Sequence, residues 1–343
     1  MYSLETIELI DFELSSHCNS KCPQCPRYDM QGNVHKDLNV THLPFDTIKR
    51  LPLNHMKGLK RISFRGNFGD PLMHPELDNI VDFFSNQKIH ISTNASLRNK
   101  DWWGRLGTRK NVEVVFCIDG LDDTHHLYRR NTSYKKIMEN AESFIGNGGK
   151  ALWQYIVFKH NEHQIRKAKS LSESLGFQSI KFMYSERFDV DSKFKVFENN
   201  EHLYDLEKST KQKLLREKLD SNHGEKYWKK LFLKRDPGKV ECIWSHRKEI
   251  YIHSDGNVYP CCMIGSVQAG KNIEKLMFGK IVKDTANISL HKNSFEQIIS
   301  SDVFQKLIPD SLNGHPFTHP VCIEWCNKRT GKFANSFLNT VNT

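Results

Sequence analysis

A chain of 343 residues, 38% hydrophobic and 26% charged, is globular and long enough for one large domain plus a small one, or for a single barrel-like domain. No apolar run approaches the ~20 residues that span a bilayer. Residues 1–8 lack the basic and apolar stretches of a secretion signal, so the expected compartment is the cytoplasm with no membrane partner. A net charge of +10 admits an anionic partner, but surplus surface lysine explains it equally well, and nucleic acid is not expected.

Residues 7–14 read as a buried strand that ends at a cysteine loop. Residues 60–65 form a second strand, and a helix follows with Leu77, Ile80, Val81 and Phe84 on one apolar face. Further strands are expected over 88–92, 112–118, 152–158 and 179–184. Helices are expected between them, over 99–106, 133–145 and 162–175. Six alternating units imply a parallel sheet, an α/β fold of the partial (β/α)6 TIM-like barrel type, with its site at the C-terminal ends of the strands. Residues 1–187 would be this core.

From 188 to 239 charges of both signs are dense and apolar residues punctuate them. One or two amphipathic helices, serving as a linker or a lid, are expected there. Residues 240–343 form a small cysteine-rich module, in which Ser254-Asp255-Gly256 signals a β-hairpin.

Nine cysteines in an unsecreted chain point to metal rather than to disulfides. Cys18, Cys22 and Cys25 fall within one loop, so their sulfurs can converge. Zinc with His17 or His35 as a fourth ligand is one reading, and a Cys22–Cys25 redox pair is another. The third is a 4Fe-4S cluster with three protein ligands and one open iron. A redox pair has no use for Cys18, and the segments at the following strand ends favour the cluster.

Those segments resemble the radical S-adenosylmethionine (radical SAM) superfamily, over roughly residues 5–185. Its C-x3-C-x2-C loop is similar to Cys18–Cys22–Cys25. Gly66-Asn67-Phe68-Gly69-Asp70-Pro71 resembles the Gly-Gly-Glu-Pro segment whose backbone lines the methionine amine of SAM. Thr93-Asn94 is similar to the family's Thr-Asn-Gly element, with Ala95 in place of glycine. Cys117-Ile-Asp119-Gly120 is similar to Ser-Ile-Asp-Gly, and Arg129 lies where relatives meet the SAM carboxylate, with Arg130 as an equal choice. Gln24 replaces the aromatic residue that often precedes the third cysteine. The resemblance implies reductive cleavage of SAM to a 5′-deoxyadenosyl radical, with an electron donor such as flavodoxin or ferredoxin.

Cys242, Cys261, Cys322 and Cys326 resemble the ligands of the SPASM and twitch modules that follow such barrels. Five cysteines here, against about seven in a full SPASM module, imply one auxiliary 4Fe-4S cluster. Cys261 and Cys262 are adjacent and should point oppositely, so one of them turns away, and Cys261 is the expected ligand. Four protein thiolates leave this cluster to carry electrons, as in enzymes that oxidise a substrate radical. Loss of a proton then needs a base, for which Asp255, Glu186, Arg187, Tyr184 and Gln154 are the candidates.

No peptide-recognition segment precedes the first strand, so the expected substrate is a small polar molecule, such as a sugar or aminocyclitol alcohol oxidised to a ketone. Modification of a peptide or protein residue is the alternative. A non-catalytic zinc or iron–sulfur protein that binds nucleic acid is a further one.

Overall fold

Alternation of apolar and polar residues, clearest in Arg61-Ile-Ser-Phe64 and Lys88-Ile-His-Ile-Ser92, puts two different faces on one sheet. The structure, a computed structural model, describes residues 2–185, 187–188, 192–212, 240–266, 282, 284–313, 318–319, 322 and 326. Strands β1 (Leu9–Phe12), β2 (Arg61–Phe64), β3 (Lys88–Thr93), β4 (Val112–Cys117), β5 (Lys150–Val157) and β6 (Ser179–Tyr184) pair in parallel, each with the next. Helices α1 (Phe45–Lys49), α2 (Leu77–Phe83), α3 (Lys100–Gly107), α4 (Tyr134–Gly146) and α5 (Ile165–Ser174) fall between successive strands or just after them. The result is the partial barrel expected from the sequence.

The register lines up apolar side chains in rows. Ile10 stands opposite Ile62, Ile62 opposite Ile89, and Ile89 opposite Val112. These rows and the buried helix faces form one core, in which the Trp103 and Phe116 rings lie 5.1 Å apart. Side chains one residue out of phase fall on the inner face: Asp11, Ser63, His90, Glu113, Cys117 and Gln154. Asn99 and Ser133 cap α3 and α4 by accepting the backbone N–H groups of Trp102 and Lys136.

The C-terminal hairpin joins this same sheet. Strands β9 (Glu249–Ile252) and β10 (Val258–Tyr259) follow the order β10-β9-β1-β2-β3-β4-β5-β6. Strand β9 runs parallel to β1, with Ile250 opposite Ile10 and Ile252 opposite Phe12. The cysteine-rich module is therefore built onto the open edge of the barrel.

The charged stretch departs from expectation. In place of helix, Lys193–Glu198 (β7) and Glu201–Glu207 (β8) form an antiparallel hairpin, turned by Asn199 and Asn200 at φ 50° and 68°. Buried Val196 and Leu206 pack with Cys22, Tyr128 and Phe158, which a two-residue repeat permits and a helix does not. Glu198 accepts from Lys21 (2.5 Å) and Arg130 (2.6 Å). Residues 213–239, the rest of the expected linker or lid, lie outside the described residues. Among the described residues no helix is long and apolar enough to cross a membrane.

Arg65 ties the hairpin to the barrel across the inner face. Its Nε and Nη2 donate to the two oxygens of Asp11 (3.1 and 2.8 Å), and Nη2 also donates to Glu249 (3.1 Å). Both carboxylates are buried, whereas the arginine side chain keeps 40% of its exposure. Burial, with Asp11 close by, pushes Glu249 up to about 7. A carboxyl raised in this way stabilises the fold below its unfolded value of 4.5, and that stability fades as pH rises through about 7. Arg65→Ala is expected to cost about 3 kcal/mol, the low end for a broken buried pair because the arginine is part-exposed. Urea unfolding should show a larger loss at pH 8 than at pH 5; an equal loss at both would contradict the shared-guanidinium account.

Candidate active site

The three N-terminal cysteines sit on the loop that leaves β1. Its shape is set by side chains from other strand ends. The backbone N–H of Lys21 and the hydroxyl of Ser20 both donate to the Arg130 carbonyl (2.9 and 3.2 Å). Tyr28 donates its hydroxyl to the Ser20 carbonyl (3.0 Å), and Arg27 donates to the carbonyls of Ser16 and Phe68. Ser185 donates to Gln24 (2.6 Å), and Arg187 donates to the Gln24 carbonyl (2.6 Å). Gln24 thus serves as an anchor of the loop.

Polar groups from the segments that follow β3 and β4 converge on the sulfurs. Arg129 Nη1 lies 3.7 Å from Cys22 Sγ, and Asn94 Nδ2 lies 4.0 Å from Cys18 Sγ. Asp119 fixes the arginine by accepting from Nε (2.6 Å), while its other oxygen accepts the Ile156 N–H (2.5 Å). Arg130 turns to Glu198 instead, so the geometry separates two residues that the sequence left equal. Asn94 is held by Asn19 (2.9 Å) and Ser96 (2.7 Å). Cys117 is buried on the inner face, opposite Gln154, and burial pushes its thiol up to about 12.

The loop after β2 packs directly on β1. A Cβ on Gly69 would lie 1.9 Å from the Ser15 carbonyl oxygen, and one on Gly66 would lie 2.0 Å from the Gly69 oxygen. Both positions need glycine for close approach. Asp70 is fully enclosed and accepts from Thr93 Oγ1 (2.8 Å), Asn94 N (2.8 Å) and Leu72 N (3.0 Å). It braces two strand ends together. Phe68 is buried, its backbone N–H donating to Glu13 and its ring meeting His253 edge-on at 6.0 Å. Ala95 adopts φ 55°, a left-handed backbone for which glycine is the easy choice.

The second set of cysteines surrounds a separate space. Cys242, Cys261, Cys322 and Cys326 line one small apolar pocket together with Tyr2 and Trp244. A hydrogen bond with Cys326 holds the Cys242 thiol below its usual range. Cys261 ends the turn after β10, and its neighbour Cys262 begins helix α6 (Cys262–Gly265). Cys262 is absent from the cavity lining and stands near Asp11, Arg65 and Glu249 on the inner face.

The donor sets suit iron–sulfur clusters. Both are all-thiol, the ligand type that holds a 4Fe-4S cluster. Burial raises Cys18, and Cys25 to about 11, so it is the cluster irons that would hold these sulfurs as thiolates.

The expected bases are scattered. Asp255 lies in the hairpin turn, where it accepts from Asn257 N (3.0 Å) and meets His253 Nδ1 (2.9 Å). Arg187 is bound to the cysteine loop. Tyr184 sits by Ser209 and Glu162, on the far side of β6. Gln154 faces inward, but an amide takes no proton. Glu186 lies outside the described residues. Sequence reading passed over Glu13, Tyr251 and His253, which are buried together between the loop after β2 and the hairpin.

Comparison with known proteins places these features in a family. Residues 12–171 match the model of the radical SAM superfamily, and residues 242–328 match that of the SPASM iron–sulfur cluster-binding domain. A cysteine-type anaerobic sulfatase-maturating enzyme from Clostridium novyi (strain NT) is 24% identical, covering 94% of this chain and 86% of its own. Native anSMEcpe with bound AdoMet shares the fold at a TM-score of 0.53 and 16% identity, over 97% of this chain and 95% of that one. Streptococcus suis SuiB bound to its precursor peptide SuiA does so at 0.51 and 15% identity, over 92% of this chain. The chain spans 66% of that SuiB chain.

Cys262→Ala is expected to leave the iron content of anaerobically reconstituted protein unchanged, whereas Cys242→Ala with Cys261→Ala should lower it by about half, from about eight irons. A colorimetric iron assay checks both. An iron loss in Cys262→Ala would reverse the assignment.

Proposed function

From the premise that the chain belongs to the radical SAM superfamily and carries a SPASM iron–sulfur domain, we propose that it modifies a residue within a peptide or protein by SAM-dependent radical chemistry. A polypeptide takes the place of the small polar molecule expected from sequence. The observation that carries the choice is the relative matched over 94% of this chain, a maturating enzyme for sulfatases. SuiB, with a precursor peptide bound, supports the same choice.

The residues divide the work. Cys18, Cys22 and Cys25 hold the first cluster, and Cys242, Cys261, Cys322 and Cys326 hold the second. When bound, the first cluster and SAM supply a 5′-deoxyadenosyl radical for hydrogen abstraction, and the second supplies a place for the remaining electron. Backbone at Gly66, Asn67, Phe68 and Gly69 receives the methionine end of SAM. Asp70 keeps that backbone and Asn94 in place, and the Asn94 side chain orients toward the nucleoside. Arg129, charged and pinned by Asp119 beside Cys22, receives the SAM carboxylate. Cys117 lines the same inner face.

Reconstituted with iron and sulfide and reduced with dithionite, the protein should convert SAM to 5′-deoxyadenosine, and Cys18→Ala, Cys22→Ala and Cys25→Ala should each abolish this. A cysteine-containing peptide should be oxidised by two electrons, seen by mass spectrometry as loss of two hydrogen atoms, or as the aldehyde once water has displaced hydrogen sulfide. Oxidation of an aminocyclitol with no change in any peptide would restore the small-molecule reading, and stoichiometric zinc without iron would refute both.

A further inference from the structure

Glu13 belongs to neither cysteine set, yet it touches the elements that carry both. It stands just beyond β1 and is wholly buried. Its Oε1 accepts the backbone N–H groups of Phe68 (2.6 Å) and Gly69 (3.1 Å). Its Oε2 accepts the Tyr251 hydroxyl (2.6 Å) and lies 3.3 Å from His253 Nε2. The first pair belongs to the loop assigned to SAM, and the second to the hairpin that leads into Cys261.

A parallel link runs beside it. Asn67 Nδ2 donates to the Tyr251 hydroxyl (3.2 Å) and to the Cys262 carbonyl (2.8 Å), one residue past Cys261. The Tyr251 ring also fills the space over Gly265, where a Cβ would lie 2.3 Å from it. Helix α6, the hairpin and the SAM loop thus meet around one phenol and one carboxylate.

A buried carboxylate is costly unless its oxygens are satisfied. Glu13 draws its donors from two separate pieces of chain, so displacing either leaves it short. Burial works against a charge on His253, but Asp255 and Glu13 outweigh it and raise its pKa.

We propose that Glu13 is a positioning residue that couples the two cluster sites. It holds the Phe68 and Gly69 backbone in place for SAM when the hairpin bearing Tyr251 and His253 is seated, so an intact auxiliary site tightens SAM binding. By reciprocity, bound SAM steadies the hairpin. The coupling rests on the reading above, that residues 66–70 receive SAM.

The test measures SAM dissociation constants by equilibrium dialysis on the full, anaerobically reconstituted chain, with iron assayed in each sample. Tyr251→Phe, which keeps the ring, should retain its iron and bind SAM about tenfold more weakly, the effect of one charge-assisted hydrogen bond. Glu13→Gln should do the same if Tyr251→Phe folds poorly. Cys242→Ala with Cys261→Ala should also weaken SAM binding, and adding Tyr251→Phe to that pair should weaken it little further. Unchanged SAM affinity in Tyr251→Phe and Glu13→Gln, or fully multiplicative effects, would overturn the coupling. Wild-type protein that loads iron but binds no SAM would overturn the underlying reading, and the coupling with it.

Discussion

Strand β1 is the constraint on which the rest depends. It pairs with β2 on one side and with β9 on the other. The loop after β1 carries the first three thiols, and the hairpin that contains β9 leads to Cys261. Because both neighbours share its register, neither cysteine set can move along the sheet without breaking a ladder of hydrogen bonds. A one-residue slip would turn Ile250 and Ile252 to the inner face and Tyr251 to the core. The position of each site is therefore set by the same four residues.

The inner face explains why so many charged groups are buried. Asp11, Glu13, Asp70, Asp119 and Glu249 are each almost inaccessible to water. Hydrophobic replacements could serve stability as well or better. Three of these carboxylates instead hold a side chain or backbone at the strand ends in place. Asp119 fixes Arg129, Asp70 fixes Asn94, and Glu13 fixes the backbone of Phe68 and Gly69. Burial raises Asp70 and Asp119 above the ordinary carboxylate range, so these positions give up stability for placement.

Much of this was legible in the residues. The strands follow from apolar alternation, and the thiol loop, the 66–71 segment and Thr93-Asn94 fall at strand ends because a parallel sheet puts them there. Local spacing also predicted that Cys261 and Cys262 would face opposite ways. What escaped was non-local. Glu13 and Tyr251 are 238 positions apart, and no periodicity joins them. Asp119 and Arg129 stood in recognisable segments, but the choice of Arg129 over Arg130 required Glu198, on a hairpin whose existence was missed. The signal for that hairpin was present: Lys193-Phe-Lys-Val196 alternates with period two, and Asn199-Asn200 suits a tight turn. The substrate class was not legible at all, since it lies in the surfaces around the site and in kinship with other chains.

The most direct measurement is anomalous diffraction at the iron edge, from crystals grown anaerobically with SAM. Two compact iron peaks are expected, one against Cys18, Cys22 and Cys25 and one in the cavity of Cys242, Cys261, Cys322 and Cys326. The SAM methionine should lie along Gly66, Asn67, Phe68 and Gly69, beside the first peak. A single metal ion in place of either iron peak, or SAM bound away from that loop, would contradict the account.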